Sequence, residues 1–256
     1  LSCTAVEREG DVFQLREWFF RCARTILGRG FFNIHETVPF IMFNLHSYYR
    51  SFMPTFKVYL FVALFMIIGS AAMAEPYKIL AFGDSLTAGY GMSPQDAYPA
   101  QLETKLKAAG YDVKIQNAGV SGDTTTGGLN RLDWSLQNKP DLVLLGLGAN
   151  DALRNLNPDI PEKNLDQMLS TLQDREIDVL LLGMYAPRNF GPRYTSFFDS
   201  IYPDLADKYD VPLYPFLLDG VFGNPTLNLT DGLHPNQKGA EVMADKLLPF
   251  VREFLE

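Results

Sequence analysis

From residue 77 onward, short apolar runs alternate with longer amphipathic stretches. Residues 77–82 (YKILAF) are strand-like and stop at Gly83-Asp84-Ser85, after which 86–90 can begin a helix. The 113–118 run (VKIQNA) alternates, as a half-buried strand does. Residues 141–147 (DLVLLGL) and 179–184 (VLLLGM) are apolar almost throughout, as strands buried on both faces are. A short fifth strand is expected at 211–215. Between these runs the pattern predicts helices over 99–109, 129–137, 160–175, 194–209 and 237–254. Strands alternating with helices predict an α/β domain: a parallel sheet of about five strands with helices on both faces. No repeat, low-complexity tract or linker interrupts this region.

Ligands of such sheets bind beyond the carboxyl ends of the strands. The unusual sequences fall at those ends: GDS after the first strand, GVSGDT after the second, GANDALR after the third and APRNFGPRY after the fourth.

The chain before this region has a different character. Residues 53–74 read MPTFKVYLFVALFMIIGSAAMA: one Lys, an unbroken apolar run from 58 to 68, then small residues ending in Ala72-Met73-Ala74. This is the three-part layout of a secretory signal peptide, with cleavage expected before Glu75. The rival is a membrane anchor, since the uncharged stretch of 17 residues is at the short edge of what spans ~30 Å of hydrocarbon. The small residues at its end favour cleavage. Residues 1–52, upstream of a start-like Met53, are then expected to lie outside the natural product, as an over-extended gene start. The main domain is expected to be 75–256, in the periplasm or secreted.

Charge follows the same division. Residues 1–74 hold 7 Lys/Arg and 5 Asp/Glu, whereas 75–256 hold 15 and 25, a net of −10. An acidic domain repels nucleic acid and anionic membrane surfaces, so neither is an expected partner. Both cysteines, Cys3 and Cys22, and two of three histidines, His35 and His46, precede residue 75. The main domain can therefore form no disulfide and no thiolate metal site. If its chemistry uses an imidazole, His234 supplies it.

Ser85 follows a strand at a Gly-containing turn, where a hydroxyl sits near free backbone N–H groups, as a serine nucleophile requires. The same position suits a helix cap. His234 stands in Asp231-Gly232-Leu233-His234-Pro235. If that loop makes one helical turn, Asp231 shares a face with His234. It can then accept a bond from one ring nitrogen and leave the other as base toward Ser85. Acyl transfer also needs donors for an oxyanion. The candidates are the Ser85 N–H, the N–H of Gly122 and the Asn150 amide, although Gly122 equally fits a turn and Asn150 a helix cap.

Gly83-Asp84-Ser85-Leu86 resembles the first block of the SGNH (GDSL) hydrolase family. Gly122 in SGDT resembles the second block, Gly148-Ala149-Asn150-Asp151 the third, and Asp231-Gly232-Leu233-His234-Pro235 the fifth, in family order across nearly all of 75–256. NFGPRY (189–194), IYPDLADKYDVPLYPF (201–216) and GLHPN (232–236) are similar to the bacterial periplasmic thioesterase I / lysophospholipase / arylesterase group. The resemblance implies Ser85 as nucleophile, Asp231 and His234 completing a triad, and Ser85, Gly122 and Asn150 as the oxyanion hole. It implies substrate contacts at Asp84, Leu153, Ala186 and Pro187, and neither cofactor nor metal. It also implies a flavodoxin-like three-layer α/β/α sandwich of strand order 2-1-3-4-5. The expected partner is a small ester or thioester, with no stable membrane insertion after signal cleavage and a monomeric state. Ala186 departs from the group's pattern, in which a larger apolar residue precedes the Pro beside the acyl site.

Rival functions fit less well. A dinucleotide fingerprint at Gly146-Leu147-Gly148 fails because Asp151 replaces the third Gly and would repel pyrophosphate. No G-x-S-x-G elbow exists, since Thr87 follows Ser85 and Asp123 follows Ser121 at the second Gly position. Ser121 is thus a weak alternative nucleophile. One His and no Cys in 75–256 argue against a metal hydrolase, and carboxylate-only sites remain. A carbohydrate O-deacetylase and a non-catalytic binding module on the same fold are the remaining alternatives.

Overall fold

The computed structural model describes residues 75–256. The expected export segment (53–74) and the upstream stretch (1–52) lie outside the described residues. Five strands run in chain order: β1 (Tyr77–Gly83), β2 (Val113–Gly119), β3 (Leu142–Gly146), β4 (Asp178–Leu182) and β5 (Leu213–Tyr214). Seven α-helices intervene: α1 (Ser85–Ala88), α2 (Tyr98–Ala108), α3 (Thr125–Ser135), α4 (Ala149–Leu153), α5 (Asp159–Asp174), α6 (Pro192–Tyr209) and α7 (Gln237–Arg252). All strand pairs are parallel, and the order β2-β1-β3-β4-β5 is the one expected.

The sheet is covered as its apolar strands require. Every residue of β3 and the last four of β4 are buried. Helices α2 and α7 pack together, and α3, α5 and α6 form a second contiguous group. Phe82, Leu144, Leu172, Phe198 and Leu247 belong to one continuous core. Each such side chain, fully buried, contributes roughly 1.5–3 kcal/mol relative to exposure.

Three strands end level: Gly83 of β1 pairs with Gly119 of β2 on one side and Gly146 of β3 on the other. Close approach explains the residue type at Gly119, where a Cβ would lie 2.2 Å from the Ala88 nitrogen. The short helix α1 is thereby seated directly on the end of β2. The chain leaves β1 toward β2 and later returns to the other side of β1 with β3. The crevice between β1 and β3 is thus the topological switch point, where ligands bind in open α/β sheets.

Most boundaries differ from the sequence pattern by one or two residues, and two of the differences have a clear physical cause. Helix α3 begins at Thr125, four residues before the expected start, because the Thr124 side chain caps it by accepting from the Gly127 N–H. Gly127 and Gly128, weak helix formers, mask this first turn in the sequence. Strand β5 is only two residues long, since it pairs solely with the end of β4. Among the described residues no helix is long and apolar enough to cross a membrane.

Candidate active site

Ser85 is the first residue of α1, immediately beyond β1. Asp84 caps that helix, its Oδ1 accepting the Leu86 N–H at 3.0 Å. Ser85 is only 9% exposed, so its hydroxyl sits at the floor of the crevice. His234 arrives from the loop before α7, 149 positions later, and its Nε2 lies 3.0 Å from Ser85 Oγ. The other ring nitrogen, Nδ1, lies 2.7 Å from Asp231 Oδ2. The chain Asp231–His234–Ser85 is therefore continuous.

The loop that holds this pair is not the helical turn expected. It is built on the Asp231 carboxylate, whose Oδ1 accepts the N–H groups of Leu233 (2.9 Å) and His234 (3.0 Å). Such side-chain-to-backbone turns are the habit of Asp, and this one leaves Oδ2 free for the ring. The His234 backbone N–H, then its ring, then the Leu233 N–H hold the Asp231 carboxyl down at about 2. The Leu229 N–H donates to the His234 carbonyl at 2.7 Å, closing the loop. The Tyr90 ring rests on the imidazole, with centroids 4.5 Å apart.

The other implied residues divide into two groups. Asn150 lies in the first turn of α4, behind an N-cap at Gly148, and so is not itself the cap. Its Nδ2 donates to Asp84 Oδ2 at 3.3 Å, which brings the amide beside the turn that carries Ser85. Gly122 holds a left-handed φ of +81°, in a turn closed by the Asp123 N–H to Val120 carbonyl bond. Arg154, at the end of α4, donates to the Gly122 carbonyl at 2.7 Å and ties that turn to the Asn150 helix. Leu153 is about half exposed on α4, and Pro187 is half-buried.

Asp84 and Ala186 do not fit direct contact with substrate. Asp84 is fully buried, with both carboxylate oxygens engaged, one by the Leu86 N–H and one by Asn150. Its place at the helix start turns the side chain inward to cap, so it can reach a substrate only through Asn150. Burial pushes its carboxyl up to about 6, opposed by the Leu86 N–H and the Asn150 amide. Ala186 is 3% exposed and presents its N–H to Asp199 Oδ1 at 2.9 Å. The surface of that loop belongs instead to Tyr185 and Arg188, whose guanidinium lies over the Tyr185 ring and pairs with Asp199.

Sequence reasoning missed a set of residues that fixes the strand ends. Arg131 of α3 donates from NH2 to the Gly83 carbonyl and from NH1 to the Ala118 carbonyl, both at 2.8 Å. Its Nε pairs with Asp123 at 2.7 Å, and the guanidinium lies 4.1 Å from the Phe82 ring centroid. One side chain thus joins the ends of β1 and β2 to the Gly122 turn. Asp151, also fully buried, accepts from the Thr125 N–H (2.8 Å) and hydroxyl (2.7 Å), which locks α4 to the start of α3. Neither set of contacts leaves a regular pattern in the sequence, since the partners lie between 8 and 48 positions apart.

Among the described residues no group of three or more His, Cys, Asp or Glu side chains is placed to hold a metal ion. A serine hydroxyl bonded to an imidazole, itself oriented by a carboxylate, is an arrangement suited to nucleophilic acyl transfer.

Known proteins resemble this chain in sequence and fold. The sequence profile of the GDSL-like Lipase/Acylhydrolase family matches residues 81–242. The arylesterase of Vibrio mimicus is 41% identical over 192 residues, covering 73% of this chain and 96% of its own. The Escherichia coli K12 thioesterase 1/protease 1/lysophospholipase L1 is 39% identical over 215 residues, covering 82% of this chain and 98% of its own. The crystal structure of AlinE4, an SGNH-hydrolase family esterase, is 46% identical and superposes with a TM-score of 0.60 over 72% of this chain and 100% of that one. With more than half of its length matched by the family and the serine, glycine, asparagine and histidine blocks in place, the chain belongs to the GDSL-like lipase/acylhydrolase (SGNH hydrolase) family and is a carboxylic ester hydrolase.

Proposed function

We propose that this protein hydrolyses aryl and short-to-medium acyl esters, with acyl thioesters and lysophospholipids as further substrates, through a Ser85–His234–Asp231 triad and an acyl-enzyme. The observation that carries the reading is the unbroken contact from Asp231 through His234 to Ser85, at 2.7 and 3.0 Å. His234 Nε2 takes the Ser85 proton as Oγ attacks the ester carbonyl. Asp231 holds the ring by Nδ1 and stabilises its charged form. The amide of Asn150 and the backbone N–H groups of Ser85 and Gly122 stabilise the oxyanion. His234 then returns the proton to the departing alcohol or thiol and activates the water that releases the acid. Asp84 enters as the partner of Asn150 rather than as a substrate contact, and half-exposed Leu153 and half-buried Pro187 are the candidates for the acyl chain.

Residues 53–74 serve, on this reading, as a cleaved export signal, leaving 75–256 as a monomeric periplasmic or secreted enzyme. N-terminal sequencing of exported protein is expected to begin at Glu75, and a mature start before residue 70 contradicts it. The activity is tested by hydrolysis of a graded series of acyl esters and acyl thioesters. The expected result is turnover by the wild type, strongest with esters of short or medium chain, and none by Ser85→Ala. No turnover of any member by wild-type enzyme would overturn the reading.

A further inference from the structure

Tyr90 is a large aromatic residue that stays about half exposed, 51%, although it stands five residues after the nucleophile. Its backbone N–H donates to the Ser85 carbonyl at 3.1 Å, just beyond the end of α1. From there its ring reaches the imidazole of His234, tilted by 38° with centroids 4.5 Å apart. The contact is backed by a second one. A Cβ at Gly91 would lie 2.7 Å from Leu229 Cδ1, so the Tyr90 segment is packed against the residue whose N–H bonds the His234 carbonyl. The ring thus lies against the catalytic histidine and stays about half exposed at the crevice mouth.

The chemistry of acyl transfer says what passes there. When the tetrahedral intermediate collapses, the bond between the carbonyl carbon and the leaving oxygen breaks. Its electron pair goes to that oxygen, which takes the proton from His234 Nε2. The leaving oxygen must therefore come within hydrogen-bond reach, roughly 3 Å, of Nε2. Whatever group that oxygen carries is held beside the imidazole, within reach of the Tyr90 ring. The acyl group, whose carbonyl oxygen faces Asn150 and Gly122, occupies a different part of the crevice.

We infer that Tyr90 is the leaving-group subsite of this esterase, an aromatic platform that selects esters of phenols and other flat alcohols. The inference rests on Ser85 and His234 acting as nucleophile and base. Offset or tilted aromatic pairs of this kind are favourable beyond simple burial, which an alkyl alcohol of similar size does not reproduce.

The test compares phenyl acetate with cyclohexyl acetate, two esters that share the acyl group and differ in the leaving ring. Wild type, Tyr90→Phe, Tyr90→Leu and Ser85→Ala are measured for kcat/KM on both. Tyr90→Phe, which keeps the ring, is expected to keep the wild-type ratio of kcat/KM between phenyl and cyclohexyl acetate. Tyr90→Leu is expected to lose roughly three- to tenfold on phenyl acetate, the range an aromatic pair commands, and less than about twofold on cyclohexyl acetate. Equal losses on both esters would overturn the subsite, because a residue that only steadies His234 acts on every substrate alike. No loss on either would overturn it as well. A Ser85→Ala enzyme that still hydrolyses phenyl acetate would strike at the nucleophile assignment itself, and the subsite would fall with it.

Discussion

Asp84 and Asn150, 66 positions apart, meet in the crevice between β1 and β3, where Asn150 Nδ2 donates to Asp84 Oδ2 at 3.3 Å. The bond joins the turn that carries Ser85 to the helix that carries a proposed oxyanion donor. An amide has two N–H donors, so one held by Asp84 leaves the other to face the reacting carbonyl. Asn150→Ala is expected to lower kcat by ~10²–10³ with little change in KM, since the donor acts on the transition state. Near-full activity in that variant would remove Asn150 from the oxyanion hole.

Asp84→Asn separates orientation from capping. Asn remains a good helix cap and can still accept the Leu86 N–H. It cannot accept from Asn150 with that same oxygen, and its own amide group opposes the one it faces. A fall in kcat of tenfold or more, with KM steady, is expected within the ~10²–10³ range of a lost oxyanion donor. An unchanged kcat would show that Asn150 is held by other means.

The same substitution reports on the buried charge. The carboxyl of Asp84 is pushed from 3.8 up to about 6 by burial, so the folded protein binds its proton more readily than the unfolded chain does. Stability from this group is thus present at low pH and declines as pH rises from about 4 to about 6. Asp123 and His234 face the same carboxyl electrostatically, the first raising its pKa and the second lowering it. Urea midpoints of wild type and Asp84→Asn between pH 4 and 7 check the sign. The wild type is expected to weaken relative to the variant across that window, and parallel curves would contradict it.

Asp231 has the opposite sign. Its carboxyl is held at about 2, below the usual 3.8, chiefly by the His234 backbone N–H. Its contribution is complete above about pH 4 and is lost only as pH falls toward 2. Asp231 is therefore expected to remain charged above about pH 4. Replacing it with Ala removes both the ring's orientation and two backbone acceptor contacts. A loss in kcat of the order of 10²–10⁴ is expected by comparison with other triads, read from initial rates on phenyl acetate.

Arg131 gives a test of the frame. Arg131→Ala leaves the carbonyls of Gly83 and Ala118 and the carboxylate of Asp123 without their shared donor. Hydrogen bonds involving a charged group contribute about 1.5–3 kcal/mol each, reduced here because the side chain is 20% exposed. A stability loss of about 2–3 kcal/mol by urea denaturation is expected, with kcat falling in the folded fraction. Arg131→Lys is expected to recover little, since one ammonium cannot serve the three directions that the guanidinium spans.

Much of this molecule is legible in its pattern of residues, for identifiable reasons. The four longer strands are buried on both faces or half-buried, so their apolar runs mark them directly. The Ser85 and His234 blocks are local, short and compositionally unusual. Asp84 sits inside a recognisable motif, yet the sequence does not tell that its buried carboxylate caps α1 with one oxygen and accepts from Asn150 with the other. The Asp231 loop brings carboxylate and imidazole together through an Asx-type turn rather than a helical one, and both use the same three-residue offset. Arg131, Asp151 and Tyr90 were silent because their partners are brought by topology. A lone Arg on an amphipathic helix looks like any solvated charge until two strand ends are placed beneath it.

The central claim is that Ser85 Oγ is the nucleophile, and covalent trapping addresses it without reference to any substrate. Wild-type protein treated with a fluorophosphonate is expected to gain one adduct per chain, carried by the peptide that contains Ser85, with activity lost in proportion. Ser85→Ala is expected to remain unlabelled. An adduct on Ser121, or equal labelling of the Ser85→Ala protein, would contradict the assignment.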